Sequence, residues 1–318
     1  MDIEYLLALQ QLRQQVPDAV NSLFFFLSEL AGGMLPVFVA AVIFWCVDKR
    51  AGYFITLGYV GSSFLNQTIK NIACVYRPWI LDSRVVPVPE ALPDATGYSF
   101  PSGHTSSITG FCGAVAIWFR KYKMLVGVMI ALIILVGFSR NWLGCHTPQD
   151  VIVGIAVSAL FLGASCFVVR YLEKHPKKDV VLCVGACLVA LATLLFISVR
   201  SYPLDFIEGV LLVDPWVMQT DCFKITGAFV GFCIAWIIER RFICLENASS
   251  FKARLFRFIF GCLVLGCVYA LLSVVLAPLD AHAHKFIEYF MLCITVIVVV
   301  PVGIKAFEKR FNTQESEK

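Results

Sequence analysis

The chain alternates long apolar runs with short polar, charge-bearing connections, and this pattern dominates every other signal. Nine runs approach the roughly 20 apolar residues that a helix needs to cross a hydrocarbon core of about 30 Å: 20–47, 51–69, 105–119, 124–138, 151–169, 180–199, 223–238, 258–277 and 286–304. The first is long and interrupted by Gly32, Gly33 and Pro36, so a short interfacial piece followed by a span is expected there. Several others look short because polar residues gather at their ends. Ahead of them, Tyr5, Leu9, Leu12 and Val16 fall on one helical face, opposite Glu4, Gln11 and Gln15. That suits a helix lying in the membrane interface; a frayed terminus is the plain alternative. The expected fold is all-α, a polytopic membrane helical bundle of about nine transmembrane helices within a range of eight to ten. Its expected divisions are an interfacial helix at 1–19, a core at 20–172 that carries the polar motifs, and further helices of the same membrane domain at 173–318.

Composition agrees with the pattern. Apolar residues make up 59% of the 318 residues and charged ones 15%, against roughly 45–50% and 25% for soluble domains. A soluble fold of this length has too little interior to hide that surface. Soluble-enzyme, disordered and secreted-scaffold classes are thereby excluded. The thirteen cysteines lie mostly inside apolar runs, as do Cys183, Cys187, Cys262 and Cys267, and read as small buried hydrophobes. The first residues, Met1-Asp2-Ile3-Glu4, are acidic, which does not suit a cleavable signal peptide.

A net charge of +4 is too small to suggest nucleic acid as a partner, but its distribution is informative. Alternate connections hold Lys49 and Arg50; Arg120, Lys121 and Lys123; Arg170, Lys174, Lys177 and Lys178; Arg240, Arg241, Lys252, Arg254 and Arg257; and Lys305, Lys309, Arg310 and Lys318, together 18 of the 26 Lys and Arg. The opposite side holds Arg13, Lys70, Arg77, Arg84, Arg140, Arg200, Lys224 and Lys285. The first set is expected in the cytoplasm, with the C-terminus inside and, for nine spans, the N-terminus outside. An integral protein of the cell (inner) membrane is the expected setting.

Two stretches on the expected outer side break the run of apolar helix and bland loop. One extends from Lys70 through Arg77-Pro78 and a polar, Pro-rich loop to Ser99-Phe100-Pro101-Ser102-Gly103-His104; the other is Phe138-Ser139-Arg140 through His146-Thr147-Pro148-Gln149-Asp150. Charges at membrane depth are costly and usually functional. Lys70 and Arg77 stand two turns apart if the helix continues, and Pro78 then turns the chain out. Arg140 joins them from another span, and three converging cations suit a multiply charged anion, with forked Arg donors matching phosphate oxygens. Ser102 is a favoured helix cap, and the bare N–H groups beside Gly103 bind phosphate readily. Thr147-Pro148 is expected to open another helix. His146 precedes Asp150 by four residues, so the carboxylate can fix one ring nitrogen and leave the other free to attack phosphorus. His104 is placed for general-acid work. Nucleophile, acid and cationic clamp together describe phosphoryl transfer with no metal or other cofactor, since Lys and Arg neutralise the charge.

In order, these residues resemble the three-part signature of the type 2 phosphatidic acid phosphatase superfamily, which also includes glucose-6-phosphatases and vanadium haloperoxidases. The chain matches each fixed position: Lys70, Arg77 and Pro78; Pro101, Ser102, Gly103 and His104; Ser139, Arg140, His146 and Asp150. The resemblance implies that His146 is the nucleophile, His104 protonates the leaving group and Asp150 orients His146. It also implies that Lys70, Arg77, Ser102, Gly103 and Arg140 hold phosphate. It covers 51–169, and the layout beyond is similar to glucose-6-phosphatases and to sphingosine-1-phosphate phosphatases.

The expected activity is hydrolysis of a lipid phosphate or diphosphate at the outer membrane face through a phosphohistidine, with membrane lipids as the surroundings. A lipid phosphotransferase or a sugar-phosphate phosphatase would use the same site, and a non-catalytic lipid carrier or sensor is the rival from another class. Elsewhere, Asp280, His282 and His284 could clasp a metal, although a solvated loop is the expectation. Glu29, Glu239 and Glu288 are expected at solvated span ends, and the sequon Asn247-Ala248-Ser249 on the inside. The loop bearing Trp79, Asp82 and Arg84 is either a cover that reads a head group or a connector.

Overall fold

A computed structural model describes residues 2–316. Met1 and Lys318, used above for the leader and charge arguments, lie outside the described residues. Among the described residues thirteen α-helices follow one another: α1 (Asp2–Gln15), α2 (Asp18–Gly32), α3 (Leu35–Cys46), α4 (Lys49–Ala73), α5 (Pro78–Leu81), α6 (Gly103–Trp118), α7 (Lys123–Trp142), α8 (Pro148–Lys174), α9 (Asp179–Val199), α10 (Pro215–Ile238), α11 (Phe251–Val275), α12 (Ala281–Ile294) and α13 (Val300–Ser316). Single π turns at Glu239–Ile243 and Thr295–Val299 extend α10 and join α12 to α13. The fold is a membrane helical bundle; its sole strands among the described residues form a two-residue hairpin, Phe206–Ile207 with Val210–Leu211, turning through Glu208 and Gly209 at positive φ.

Among the described residues six helices, or seven when α2 and α3 are counted as one span bent by 50°, are long and apolar enough to cross a membrane. The bend falls at Gly33-Met34, where the sequence expects the interruption. The count of nine is not reached, because α4 and α6 are outside this set. α6 has only 16 residues, and α4 carries Ser62, Asn66, Gln67, Lys70 and Asn71 along its second half. Both give up apolar length to the polar groups they bring inward. α7 runs on to Trp142, so Arg140 lies within its last turn.

α4 is the central helix, packed against α3, α6, α8 and α10. It meets α6 backbone to backbone: a methyl at Gly58 would come within 2.5 Å of the Gly110 carbonyl, and one at Gly110 within 2.3 Å of the Gly58 carbonyl. Small residues at such a crossing bring the ends of the two helices, bearing Lys70 and His104, into the same region. Phe44, Trp45 and Phe64 share one apolar cluster with Phe229, Phe232 and Ile297, and Trp45 Nε1 donates to the Val296 carbonyl at 2.8 Å, tying the first helices to the last. Leu160, Phe167, Val199, Leu263 and Val274 point outward, as they do where lipid rather than water surrounds a helix.

One end of the bundle gathers the basic connections. Lys49 Nζ reaches Glu239 at 3.2 Å, Arg241 reaches Asp179 at 2.5 Å, Arg257 pairs with Glu308 at 2.8 Å, and Trp118 Nε1 donates to Asp48 at 3.3 Å. Asn247 Oδ1 accepts from the Lys49 amide at 3.0 Å at this same end. Glu239 is fully buried rather than solvated, since Lys49, the Tyr53 hydroxyl and the Leu245 amide all bond its carboxylate. Glu288 is buried too, held by Lys285 at 2.8 Å. Both carboxylates carry a cationic partner, which removes the need for water that the sequence reading assumed.

At the other end α1 lies along the loop that follows α5. Arg13 donates to the Trp142 carbonyl at 3.0 Å and Gln10 accepts from the Val86 amide at 2.7 Å. Of its apolar residues Leu6 is buried, whereas Tyr5 and Leu12 face outward.

Candidate active site

Four helix ends, those of α4, α6, α7 and α8, and one loop converge opposite the basic end. α4 stops at Ala73 because Cys74 adopts the left-handed conformation, φ 49°. Arg77 is therefore delivered by extended backbone before Pro78, not by two further turns of α4. α6 begins as the sequence anticipates: the Ser102 hydroxyl caps it by accepting from the Thr105 amide. α8 opens with Pro148 in its first turn behind a reciprocal cap in which Thr147 Oγ1 accepts from the Asp150 amide and Asp150 Oδ2 accepts from the Thr147 amide at 2.8 Å. That cap fixes the Asp150 carboxylate before any catalytic use is made of it.

His146 and Asp150 come together through a residue that the motif reading left out. The Ser99 hydroxyl donates to Asp150 Oδ2 at 2.6 Å and lies 3.2 Å from His146 Nδ1, while the direct Nδ1–Oδ2 separation is 3.4 Å. On the far side of the ring, Arg77 Nη1 stands 2.8 Å from His146 Nε2. A guanidinium can only donate, so Nε2 accepts and the ring proton resides on Nδ1. From there it points to Ser99, whose own proton goes to Asp150. The tautomer thus follows from the network. His146 is buried in the loop between α7 and α8; burial first, then the positive Arg77, Arg140 and Lys70, hold its imidazole well below the ordinary pKa.

The cations are equally enclosed. Arg77 is held by the Gly97 carbonyl at 3.1 Å, the Cys145 carbonyl at 3.0 Å and the Thr96 carbonyl at 3.2 Å. Lys70 Nζ donates to the Tyr98 carbonyl at 3.1 Å. Arg140 is 1% exposed and gives Nη1 to the Ser28 hydroxyl at 2.5 Å, but its Nε and Nη2 have no partner. Buried charged donors without acceptors are costly, and here two lie on one guanidinium. Gly103 borders the same space, with Lys70 Nζ 4.0 Å from the position a β-carbon would take. His104 lies within electrostatic reach of Arg140, His146, Arg77 and Lys70. All the motif residues are therefore at one end of the bundle, in one polar region.

Ser99 was read only as the start of the closing part of the first polar stretch and given no role, and Thr96 and Gly97 were not singled out, because all three act from an irregular loop with no periodicity. Asn66 could have been found: it lies one turn before Lys70 in the predicted span, and its amide nitrogen donates to the Pro101 carbonyl at 3.1 Å and to the Ser102 carbonyl at 3.2 Å. Asp280, His282 and His284 do not converge. Asp280 caps α12, His282 stacks on Trp216 with centroids 3.7 Å apart, and His284 faces Glu288 at 3.8 Å. In the loop after α5, Trp79 lies under Arg77 at 5.8 Å, whereas Arg84 pairs with Asp82 at 2.8 Å and with Glu4 at 3.2 Å, away from the pocket cations.

Fold and site together define a polytopic membrane protein with a cluster of buried cations beside a hydrogen-bonded histidine–serine–carboxylate set. Comparison with known proteins places it further. Residues 51–174 match the PAP2 superfamily, and residues 223–309 match the transmembrane extension of PAP2 superfamily phosphatases. The chain belongs to the type 2 phosphatidic acid phosphatase (PAP2) superfamily. Lipid A 1-phosphatase of Rhizobium johnstonii is 41% identical over 63 residues, 20% of this chain and 25% of that protein. Undecaprenyl-diphosphatase of Sulfolobus acidocaldarius is 28% identical over 136 residues, 42% of this chain and 64% of the relative. Undecaprenyl-diphosphatase BcrC of Bacillus subtilis is 28% identical over 149 residues, 46% and 72% of the two chains. The chain thus spans between a quarter and somewhat under two thirds of the first two relatives. No solved structure matches it.

Proposed function

We propose that the protein is a metal-independent membrane phosphatase that hydrolyses a lipid phosphate or diphosphate through a phosphohistidine. The observation that carries this reading is the pairing of a neutral, oriented His146 with the two unpartnered N–H groups of Arg140 in one buried space. Substrate phosphate takes those donors together with Lys70, Gly103 and the Ser102 end of α6, and Arg77 exchanges its bond to His146 Nε2 for a phosphate oxygen. The freed Nε2 lone pair attacks phosphorus, and the P–O bond to the leaving group breaks as His104 supplies that oxygen with a proton. The imidazolium so formed keeps its Nδ1 proton, which Ser99 and Asp150 stabilise. Water then attacks the phosphoryl group, His104 takes the water's proton, and the P–N bond breaks to restore His146. Electrostatic stabilisation by three fixed cations supplies most of the barrier lowering.

A lipid substrate suits the place of the pocket at the ends of membrane helices, where a head group can enter while its chains stay among the outward-facing apolar side chains. The named activities of the relatives, on lipid A and undecaprenyl diphosphate, belong to the same chemical class. The pocket lies at the end opposite the basic connections, and the positive-inside rule then supports an outer-face site with the C-terminus in the cytoplasm. The test is phosphate release by the purified full chain from phosphatidic acid, phosphatidylglycerol phosphate, isoprenyl diphosphates and sphingoid phosphates, with and without EDTA. Turnover of at least one, unaffected by EDTA and abolished by His146→Ala, is expected. Failure on all of them contradicts the reading, and a strict Mg²⁺ requirement contradicts the mechanism.

A further inference from the structure

α2 precedes both matched segments and carries none of the signature residues, yet it contributes two contacts to the pocket. Ser28 and Gly32 are four residues apart and so share one face of the helix. Ser28 is fully buried, and its hydroxyl accepts from Arg140 Nη1 at 2.5 Å. Gly32 lies against His104: a methyl there would come within 2.4 Å of Nε2 and 2.9 Å of Cδ2. The first contact takes one corner of a guanidinium whose other two nitrogens are unpartnered. Nε and Nη2 form the side-on fork that matches two phosphate oxygens, so the corner taken by Ser28 is the one the phosphate does not need. The second contact sets how far the His104 ring can retreat from the pocket, and only a residue without a β-carbon allows the observed seat.

We infer that α2 is a wall of the phosphate pocket, with Ser28 a positioning residue for the Arg140 fork and Gly32 a positioning residue for His104. This rests on the phosphatase reading above, in which Arg140 holds phosphate and His104 serves the leaving group. The two positions then have different kinetic signatures. Loss of the Ser28 hydroxyl frees the guanidinium to rotate, which weakens the hold on phosphate whatever the leaving group. A methyl at Gly32 pushes the imidazole aside, which matters where the leaving oxygen needs a proton and little where it does not. Gly32 closes α2 without a left-handed backbone, so an alanine meets no obstacle except that ring.

The experiment uses the full chain in lipid nanodiscs, with an alkyl phosphate lipid and p-nitrophenyl phosphate as substrates and orthovanadate as competitive inhibitor. Wild-type turnover that His146→Ala abolishes is measured first; its absence sinks the phosphatase reading itself, separately from the inference about α2. Against that background, Ser28→Ala is expected to lower kcat/KM at least fivefold on both substrates and to weaken orthovanadate by a similar factor, with Ser28→Thr restoring both. Should the alanine variant fail to fold, Ser28→Cys keeps the volume, loses the strong acceptor and carries the same expectation. Gly32→Ala is expected to lower kcat/KM for the alkyl phosphate at least fivefold more than for p-nitrophenyl phosphate, with orthovanadate binding retained. Smaller effects on kcat/KM or orthovanadate in the Ser28 variants overturn the role of Ser28. Equal losses on the two substrates, or none, in Gly32→Ala overturn that of Gly32.

Discussion

The Ser99 relay offers the sharpest handle on the site, because one oxygen there joins His146 to Asp150. Ser99→Ala deletes the 2.6 Å bond to Asp150 and the 3.2 Å acceptor for Nδ1–H, leaving the 3.4 Å direct approach of Asp150 to the ring. A hydrogen bond to a charged group contributes about 1.5–3 kcal/mol, which corresponds to roughly 10- to 150-fold in rate. The surviving direct contact places the expected loss of kcat/KM toward the lower half of that range, and below the loss from Asp150→Asn, which removes the charge that stabilises the imidazolium. Thr147→Ala is the control. It breaks the amino-terminal cap of α8 and costs about 1 kcal/mol of stability, while Asp150 keeps its bonds to Ser99 and the Thr147 amide. Steady-state kinetics on the best lipid substrate, with melting temperatures in the same detergent, separate these effects. Ser99→Ala within twofold of wild type, or a Thr147→Ala loss as large as that of Ser99→Ala, would refute the relay.

Other consequences can be tested directly. Since burial and three neighbouring cations depress the His146 pKa, its neutral form persists as pH falls through the ordinary histidine range. The acid limb of kcat/KM, corrected for substrate ionisation, is expected below pH 6.5, the usual histidine value; a limb at or above it contradicts the assignment. Arg140→Lys keeps the charge but loses the side-on fork, so phosphate and orthovanadate affinity should fall at least tenfold, a difference of about 1.4 kcal/mol; an unchanged inhibition constant counts against the fork. At the far end of the bundle, Glu239→Ala strips Lys49, Tyr53 and the Leu245 amide of their shared acceptor. Thermal unfolding should then drop by an amount on the order of 2–4 kcal/mol, with Lys49 relaxing into solvent to limit the cost, and kcat in the surviving protein unchanged; an unaltered melting temperature would contradict the burial argument.

Much of the fold follows from apolar run length alone, and two helix starts follow from Ser102 at α6 and Thr147-Pro148 at α8. His146 and Asp150 were readable as partners because a four-residue spacing at a helix start has one geometric outcome. Arg77 was harder: spacing from Lys70 suggested two turns of one helix, whereas the left-handed Cys74 ends α4 early and extended backbone delivers Arg77. Ser99 acts through a loop, where no period links sequence to position. α4 and α6 were read as spans, yet the polar groups that make the pocket also take them below the apolar length of a spanning helix. Glu239 and Glu288 were misjudged because burial of a carboxylate depends on a cation brought from elsewhere in the chain. Ser28 and Gly32 left no mark at all beyond an interruption in an apolar run, since their partners are more than 70 residues away.

The central claim is that His146 Nε2 carries the phosphoryl group between substrate and water. Rapid mixing of the nanodisc-embedded chain with a ³²P-labelled lipid phosphate, alkaline quenching and peptide mapping by mass spectrometry tests it. The account predicts an acid-labile, alkali-stable phosphoryl adduct on His146, absent from His146→Ala. Steady turnover with no phosphohistidine at any quench time, or an adduct on another residue that persists in His146→Ala, would contradict it.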